Sequence, residues 1–476
     1  MSLRSLLLLC PALCLTSACG GEAGGSLPAT YAFGSRFAGA DSSVAYSGQT
    51  MRHLLIGELR RSLDGLTEQI DRGDVQPAEE GDVVARLDFY FRFDGDAAAG
   101  LAPLLATDPP LLQETYGEVS TGASLDQKLA GNDPATDYVD WSTDFRGWSD
   151  PALAQHGGSI TSPTGLVTAM FETVEANALK RAQGDPRTGP DGSSLPVTVT
   201  ESGLDLAQLT EKFFLVALAF HQAADDYLDD DVEGKGLLAD HVDDAGGYTA
   251  LEHAWDEAFG YFGAARDYGD YDLADVAGAD RYRDSIASDG RIDLKSEYNF
   301  GASRNAARRD LDSAAGAETD FAETAWDAFR RGRDLIADRS GPIDPDDLEA
   351  LRAQRDRARG AWEAAYAATV VHYINEQLQD LAAIGTDDYG FLDHAKHWSE
   401  AKGFALGFQF NPRSPVSAGS FDRLHTLLGD APVLPVDGAE AVDAHRLDLL
   451  EARAILADAF SFDAANLGDD QGLGGW

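Results

Sequence analysis

The chain reads as all-α: two pseudo-repeated helical bundles with an irregular insertion. Three observations predict this. Long stretches carry apolar residues three and four apart, as one face of a helix requires, and no stretch alternates with the period of a strand. The run Trp255-Asp256-Glu257-Ala258-Phe259-Gly260-Tyr261 recurs 143 residues later as Trp398-Ser399-Glu400-Ala401-Lys402-Gly403-Phe404. Each copy follows a helical run bearing a histidine, His221 or His372, which reads as a duplicated unit. Residues 99–158, rich in Pro, Gly, Asp and Ser, lack either period and form the insertion, with a few short helices and Phe145-Arg146-Gly147-Trp148 as its anchor.

The elements follow in order. Residues 1–18 form a signal peptide: Arg4 is its positive start, and Leu6 to Leu15 is too short to span a bilayer. Leu15-Thr16-Ser17-Ala18-Cys19 has the form of a lipobox, so Cys19 is expected to carry lipid, and Gly20 after it fits an outer-membrane destination. Residues 19–45 form a lipid-anchored tether and N-terminal segment. The first bundle is expected over 46–290 and the second over 291–476. Helices are expected at Val44–Ile70, Val83–Phe93, a run capped by Ser162 and ending near Gln183, Leu204–Leu228, and Tyr248–Gly263. Further helices follow at Arg304–Asp312, Thr319–Ala337, Pro345–Leu381, Phe391–Phe410, Ser420–Leu428 and Ala439–Phe460.

The charge excludes whole classes of function. With 37 basic and 81 acidic residues, a net of −44, the chain lacks the basic surface that binding to phosphate backbones requires, so no nucleic-acid partner is expected. All three cysteines lie at or before position 19, which leaves no thiol chemistry beyond it. There is no H-E-x-x-H helix, no G-x-S-x-G elbow and no P-loop, and no enzymatic activity is expected.

The densest chemistry lies in Tyr248–Gly263. As a helix it puts His253 and Glu257 four apart on one face, with Glu252 and Asp256 as a second such pair. Imidazole with carboxylates suits iron, manganese, zinc or copper better than calcium. One helix cannot surround an ion, so His221 is the expected further ligand. Such a site should lose affinity below about pH 6.5, where free imidazole takes up a proton. The rival reading is a helix-packing device, with the charges satisfying arginines or backbone. In the second bundle the matching candidates are His372, His397 and Glu400, with His394 beside them. The loop Asp284–Glu297 has the outline of a calcium loop but lacks acidic groups at Ser285 and Ala287, and a surface turn is the stronger expectation.

Several of these motifs together resemble a known family. Tyr31-Ala32-Phe33, Ser47-Gly48-Gln49-Thr50, Asp144-Phe145-Arg146-Gly147-Trp148, Glu252-His253-Ala254-Trp255-Asp256-Glu257-Ala258, and Gly403-Phe404 with Gln409-Phe410 resemble the bacterial lipoproteins catalogued as domain of unknown function 4856. The resemblance covers about residues 29–460. That family is similar in turn to imelysin-like envelope proteins, which have two helical bundles and a G-x-H-x-x-E motif and are associated with iron uptake. The resemblance implies a motif position for His253 and Asp256 alone, since Glu252 stands where Gly is expected and Asp256 replaces Glu. It implies a lipoprotein of the cell envelope that binds or relays a metal ion, iron foremost, for uptake, with a metal-uptake receptor or other envelope protein as partner. The alternative is a non-catalytic structural or interaction lipoprotein.

Overall fold

The computed structural model describes residues 27–476 except 135, 149–152, 154–159, 191 and 280. The expected signal peptide and Cys19 lie outside the described residues. Among those described, every regular element is helical, and only four isolated β-bridges occur. The α-helices are α1 (Ser47–Arg72), α2 (Asp82–Phe91), α3 (Gly95–Ala98), α4 (Tyr116–Val119), α5 (Pro163–Ala182), α6 (Leu206–Phe214) and α7 (Ala250–Phe262). They continue with α8 (Leu273–Ala277), α9 (Gly301–Leu311), α10 (Phe321–Ala337), α11 (Pro345–Ala383), α12 (Phe391–Ala405), α13 (Ala418–Leu428) and α14 (Ala439–Phe460). None is long and apolar enough to cross a membrane.

Local chemistry fixes many of the ends. Ser162 Oγ accepts the Gly165 amide, and Pro163, which has no N–H to leave unpaired, opens α5. Thr249 and Glu252 form a capping box at the start of α7, and Gly263 ends it in the left-handed conformation at φ +83°. Helix α1 starts three residues later than the expected Val44: its cap is Tyr46, without a side-chain bond, and Ser47 is the first helical residue.

The helix expected over Leu204–Leu228 changes character midway. It begins as α6 and runs on into two π-helical stretches, Leu215–Phe220 and Gln222–Tyr227, joined at His221. Such wide turns are rare, and they cluster at functional sites. Here every residue of the stretch is buried, so packing on all sides holds the weaker backbone pattern in place.

The two echo copies share a local geometry. Trp255 and Trp398 are fully buried, and each indole N–H donates to a backbone carbonyl, of Phe329 at 2.8 Å and of Leu428 at 2.9 Å. Glu257 accepts from Gln49 of α1, and Glu400 pairs with Lys212 of α6. Gly260 and Gly403 lie against those same two partner residues, where a Cβ would come within 3 Å of theirs. Helices α7 and α10, and α6 and α12, pack on one another across residue 290, and one apolar core includes Leu66, Phe213, Trp255, Trp326 and Trp398.

The Trp255 ring is also held by Gly332 of α10, which leaves the space the indole fills; a Cβ there would overlap the six-membered ring. Gly332→Ala is therefore expected to destabilise the fold by about 1–3 kcal/mol through overpacking, although alanine is the better helix former. Thermal denaturation followed by circular dichroism checks this, and an unchanged midpoint would mean that α10 can slide.

Candidate functional site

Among the described residues, a single group brings together three side chains able to hold a metal ion: Asp137, His221 and Asp225, each with one ligand atom within 4.8 Å of the others. Its position follows from the chain. The π-helical turns carry His221 and Asp225 four residues apart, with His221 Nε2 3.3 Å from Asp225 Oδ2. The irregular insertion crosses over them and supplies Asp137, whose Oδ1 lies 3.1 Å from the same nitrogen. Backbone amides hold both carboxylates: Gly131 N–H donates to Asp137 Oδ2, the oxygen away from the imidazole, at 3.1 Å, and Tyr138 N–H to Asp225 Oδ2, the oxygen that faces it, at 3.1 Å. Trp141 and Phe410 wall the imidazole in edge-to-face contacts.

The site is buried and charged. The side chains of His221, Asp137 and Asp225 are 1 %, 3 % and 1 % exposed. Burial alone would lower the His221 pKa, but the two carboxylates outweigh it and raise the group to about 9. Burial raises Asp225 above the usual carboxylate range, against the pull of His221. With the imidazole protonated, the three groups still carry a net single negative charge out of water, which is costly unless compensated. A neutral imidazole and a divalent cation would bring the sum to zero.

The contacts themselves favour the cation. Both nitrogens of His221, Oδ1 of Asp137 and Oδ1 of Asp225 have no aligned hydrogen-bond partner. Two ligand atoms about 2.1 Å from one ion, at angles between square and tetrahedral, lie about 3.0–3.4 Å apart, and the two separations from His221 Nε2, 3.1 Å and 3.3 Å, fall there. Nδ1 has no partner in either state, while Nε2 faces both carboxylates, as an ion-pair partner when protonated and as a ligand atom when neutral. Next to it, Gln222 is fully buried with neither amide atom paired.

The Tyr248–Gly263 cluster is arranged differently. Arg333 of α10, fully buried, donates through Nε to Asp256 Oδ1 at 2.9 Å, pairs with Glu252 Oε1 at 3.2 Å and donates to Ser43 Oγ at 2.6 Å. Tyr31 hydroxyl also donates to Asp256, at 2.8 Å, and Glu252 is used by its own helix cap. Burial raises the Asp256 pKa, and the Arg333 charge opposes that. His253 is one-third exposed; its Nδ1 meets the Ala45 carbonyl at 2.9 Å, and Nε2 stands 3.7 Å from Glu257. His221 is not brought to this helix face, because its partners are Asp137 and Asp225. The expected five-residue set is thus divided between two places.

The second set divides too. His397 pairs with Asp380 at 2.8 Å, and with Glu376 at 3.7 Å. His394 is buried and meets the Tyr389 hydroxyl. His372 and Glu400 instead line a cavity between α1, α9, α11 and α12. In the Asp284–Glu297 loop the carboxylates are taken by backbone: Glu297 accepts the amides of Ser285, Ile286, Ala287 and Asp293, and Asp284 those of Asp289 and Gly290. Nothing there converges as calcium ligands do.

Sequence reasoning singled out His221 but not its partners. Asp225, four residues on, was a visible signal. Asp137 carried none, since it arrives from an aperiodic stretch. Residues 164–424, more than half of the chain, match the family model described as domain of unknown function (DUF4856). No curated protein and no solved structure matches the chain.

Proposed function

Starting from a chain that belongs to the DUF4856 family, we propose that it is a metal-holding helical lipoprotein of the cell envelope, with a divalent ion between Asp137, His221 and Asp225. The observation that carries this is the buried His/Asp/Asp group in which two carboxylates stand at ligand spacing, 3.1 Å and 3.3 Å, from one imidazole nitrogen. One nitrogen and two carboxylate oxygens suit iron(II), manganese or zinc. Iron as the cargo, a metal-uptake receptor as partner and the outer membrane as location rest on the resemblance to imelysin-like proteins and on the lipobox ending at Cys19. Burial argues for holding over relay: an ion enclosed so fully exchanges only when the insertion lifts.

The test is metal analysis of protein purified without chelator, then calorimetric titration of Fe(II), Mn(II), Zn(II) and Cu(II). One equivalent is expected in wild type and in His253→Ala. Asp225→Asn is expected to weaken binding about 100-fold or more, because it removes a ligand and a charge. Equal affinity in wild type and Asp225→Asn would remove the proposal.

A second reading, an interaction or structural lipoprotein, is favoured by one observation. Arg333 occupies Glu252 and Asp256, so that stretch acts in packing the N-terminal segment against α7 and α10.

A further inference from the structure

The cavity that holds His372 and Glu400 has a volume of about 300 Å³ and runs against the charge of the whole molecule. In a chain of net charge −44 it gathers Arg61, Arg281, Arg304, Arg308 and Arg309. Its three carboxylates are already engaged. Glu58 accepts the amides of Leu104 and Leu105 and the Tyr116 hydroxyl, Glu211 pairs with Arg60 and Lys212, and Glu400 pairs with Lys212. Among the described residues, Arg281, Arg304 and Arg308 donate only to the Tyr298 hydroxyl and to the carbonyls of Val276, Ala277 and Gly278.

Those arginines are placed at a cost. Arg304 and Arg308 stand four apart on α9, a like-charge pair that destabilises a helix. Arg309 is 1 % exposed, and its Nε and Nη1 have no partner. Burial, with Arg281 and Arg308 nearby, lowers the Arg304 pKa to about 10. Burial and the Arg309 charge lower His372 to about 3, so it is neutral at ordinary pH. The start of α9 at Gly301, whose cap has no side-chain bond, also faces the cavity and adds the positive end of its dipole.

We propose that this cavity binds a small organic anion carrying at least two negative charges, its carboxylate or phosphate groups held by Arg304, Arg308, Arg309 and Arg281. A cation is excluded there by the same field, which removes His372 and Glu400 from the metal ligands. The volume lies at the lower end of the range for small-molecule sites, larger than an inorganic oxyanion needs. Tyr298, Phe300 and Tyr373 supply faces for a carbon skeleton. Arg61 and Arg308, both exposed, mark the mouth.

The experiment is calorimetric titration of tricarballylate, glycerol 3-phosphate and sulfate at fixed ionic strength, into wild type, Arg304→Gln and Arg423→Gln. Arg423 pairs with Glu451 on the surface away from the cavity and controls for net charge. At least one organic anion is expected to bind below about 1 mM, and Arg304→Gln to weaken it about tenfold or more, as loss of one charged hydrogen-bond donor does. Arg423→Gln should bind as wild type. Tricarballylate alone would name carboxylates as the ligand class, and glycerol 3-phosphate alone phosphate esters. Arg308→Gln, at an exposed position, gives the same reading if Arg304→Gln does not fold. No binding of either organic anion at about 10 mM, sulfate binding as tightly as both, or equal loss in Arg423→Gln would overturn the proposal.

Discussion

Arg333→Leu is expected to destabilise the protein by about 3–5 kcal/mol, the cost of leaving a buried carboxylate without its partner. Asp256 would keep the Tyr31 hydroxyl and the Ala45 amide, while its charge stayed fully buried. Glu252 would lose its pairing too, and the segment from Tyr31 to Ala45 would lose the bond from Arg333 to Ser43. Because unfolding entropy grows with chain length, the melting midpoint should fall by only roughly 5 °C. Burial already raises the Asp256 pKa, and removing Arg333 raises it further. A carboxyl that is easier to protonate when folded gains stability as pH falls, so the variant should recover part of its loss on acidification. Arg333→Leu combined with Asp256→Leu should restore most of it, since an apolar pair replaces a buried ionic one at little cost. A double variant as unstable as the single one would mean that Arg333 acts through Ser43 and Glu252.

Metal affinity should rise nearly tenfold from pH 7 to pH 8 and more slowly towards pH 9, about 50-fold across the window. The ion must displace the proton of His221, whose pKa is held at about 9 by Asp137 and Asp225 despite burial. An ordinary imidazole would reach full affinity above about 6.5, as the composition of the motif suggested. The difference lies in the two carboxylates, which stabilise imidazolium as well as they stabilise a metal. The same shift has a signature in the ion-free protein. A raised histidine pKa contributes stability that is complete below about 6.5 and is lost as pH rises through about 9. Ion-free protein should therefore melt lower at pH 9 than at pH 6.5, and metal-loaded protein should not. Calorimetry at several pH values, with proton release measured in buffers of different ionisation enthalpy, checks both. Affinity flat from pH 7 to 9 would mean that the ion binds elsewhere or that His221 is neutral.

Most of the helical frame could be read from spacing and caps. Ser162-Pro163 marked the start of α5, and the residues from Ala439 to Phe460 form α14 as expected. Side-chain periodicity reports which face is buried, and these helices each bury one. The π-helical turns were not legible for the same reason: Phe213 to Phe220 is apolar on every side, so no face distinguishes one backbone pitch from another. The candidate site was half legible. His221 stood out as a histidine on a buried helix, yet the pairing with Asp137 joins a helix to an aperiodic loop 84 residues earlier, a contact that no local pattern encodes. In the same way Glu252 and Asp256 read as free ligands until Arg333, 77 residues beyond Asp256, took them up.

The π-helical stretch also bears on how this family can diverge. A wide turn holds one residue more than an α-helix over the same length, so its natural on–off change is a single-residue deletion. Removing one residue between Leu215 and Phe220 would let that turn close as ordinary α-helix while the residues beyond it kept their faces, so His221 would still meet Asp137. A one-residue deletion in the ordinary helix α6 has no such slack, and would turn His221 by about 100° about the helix axis, away from Asp137.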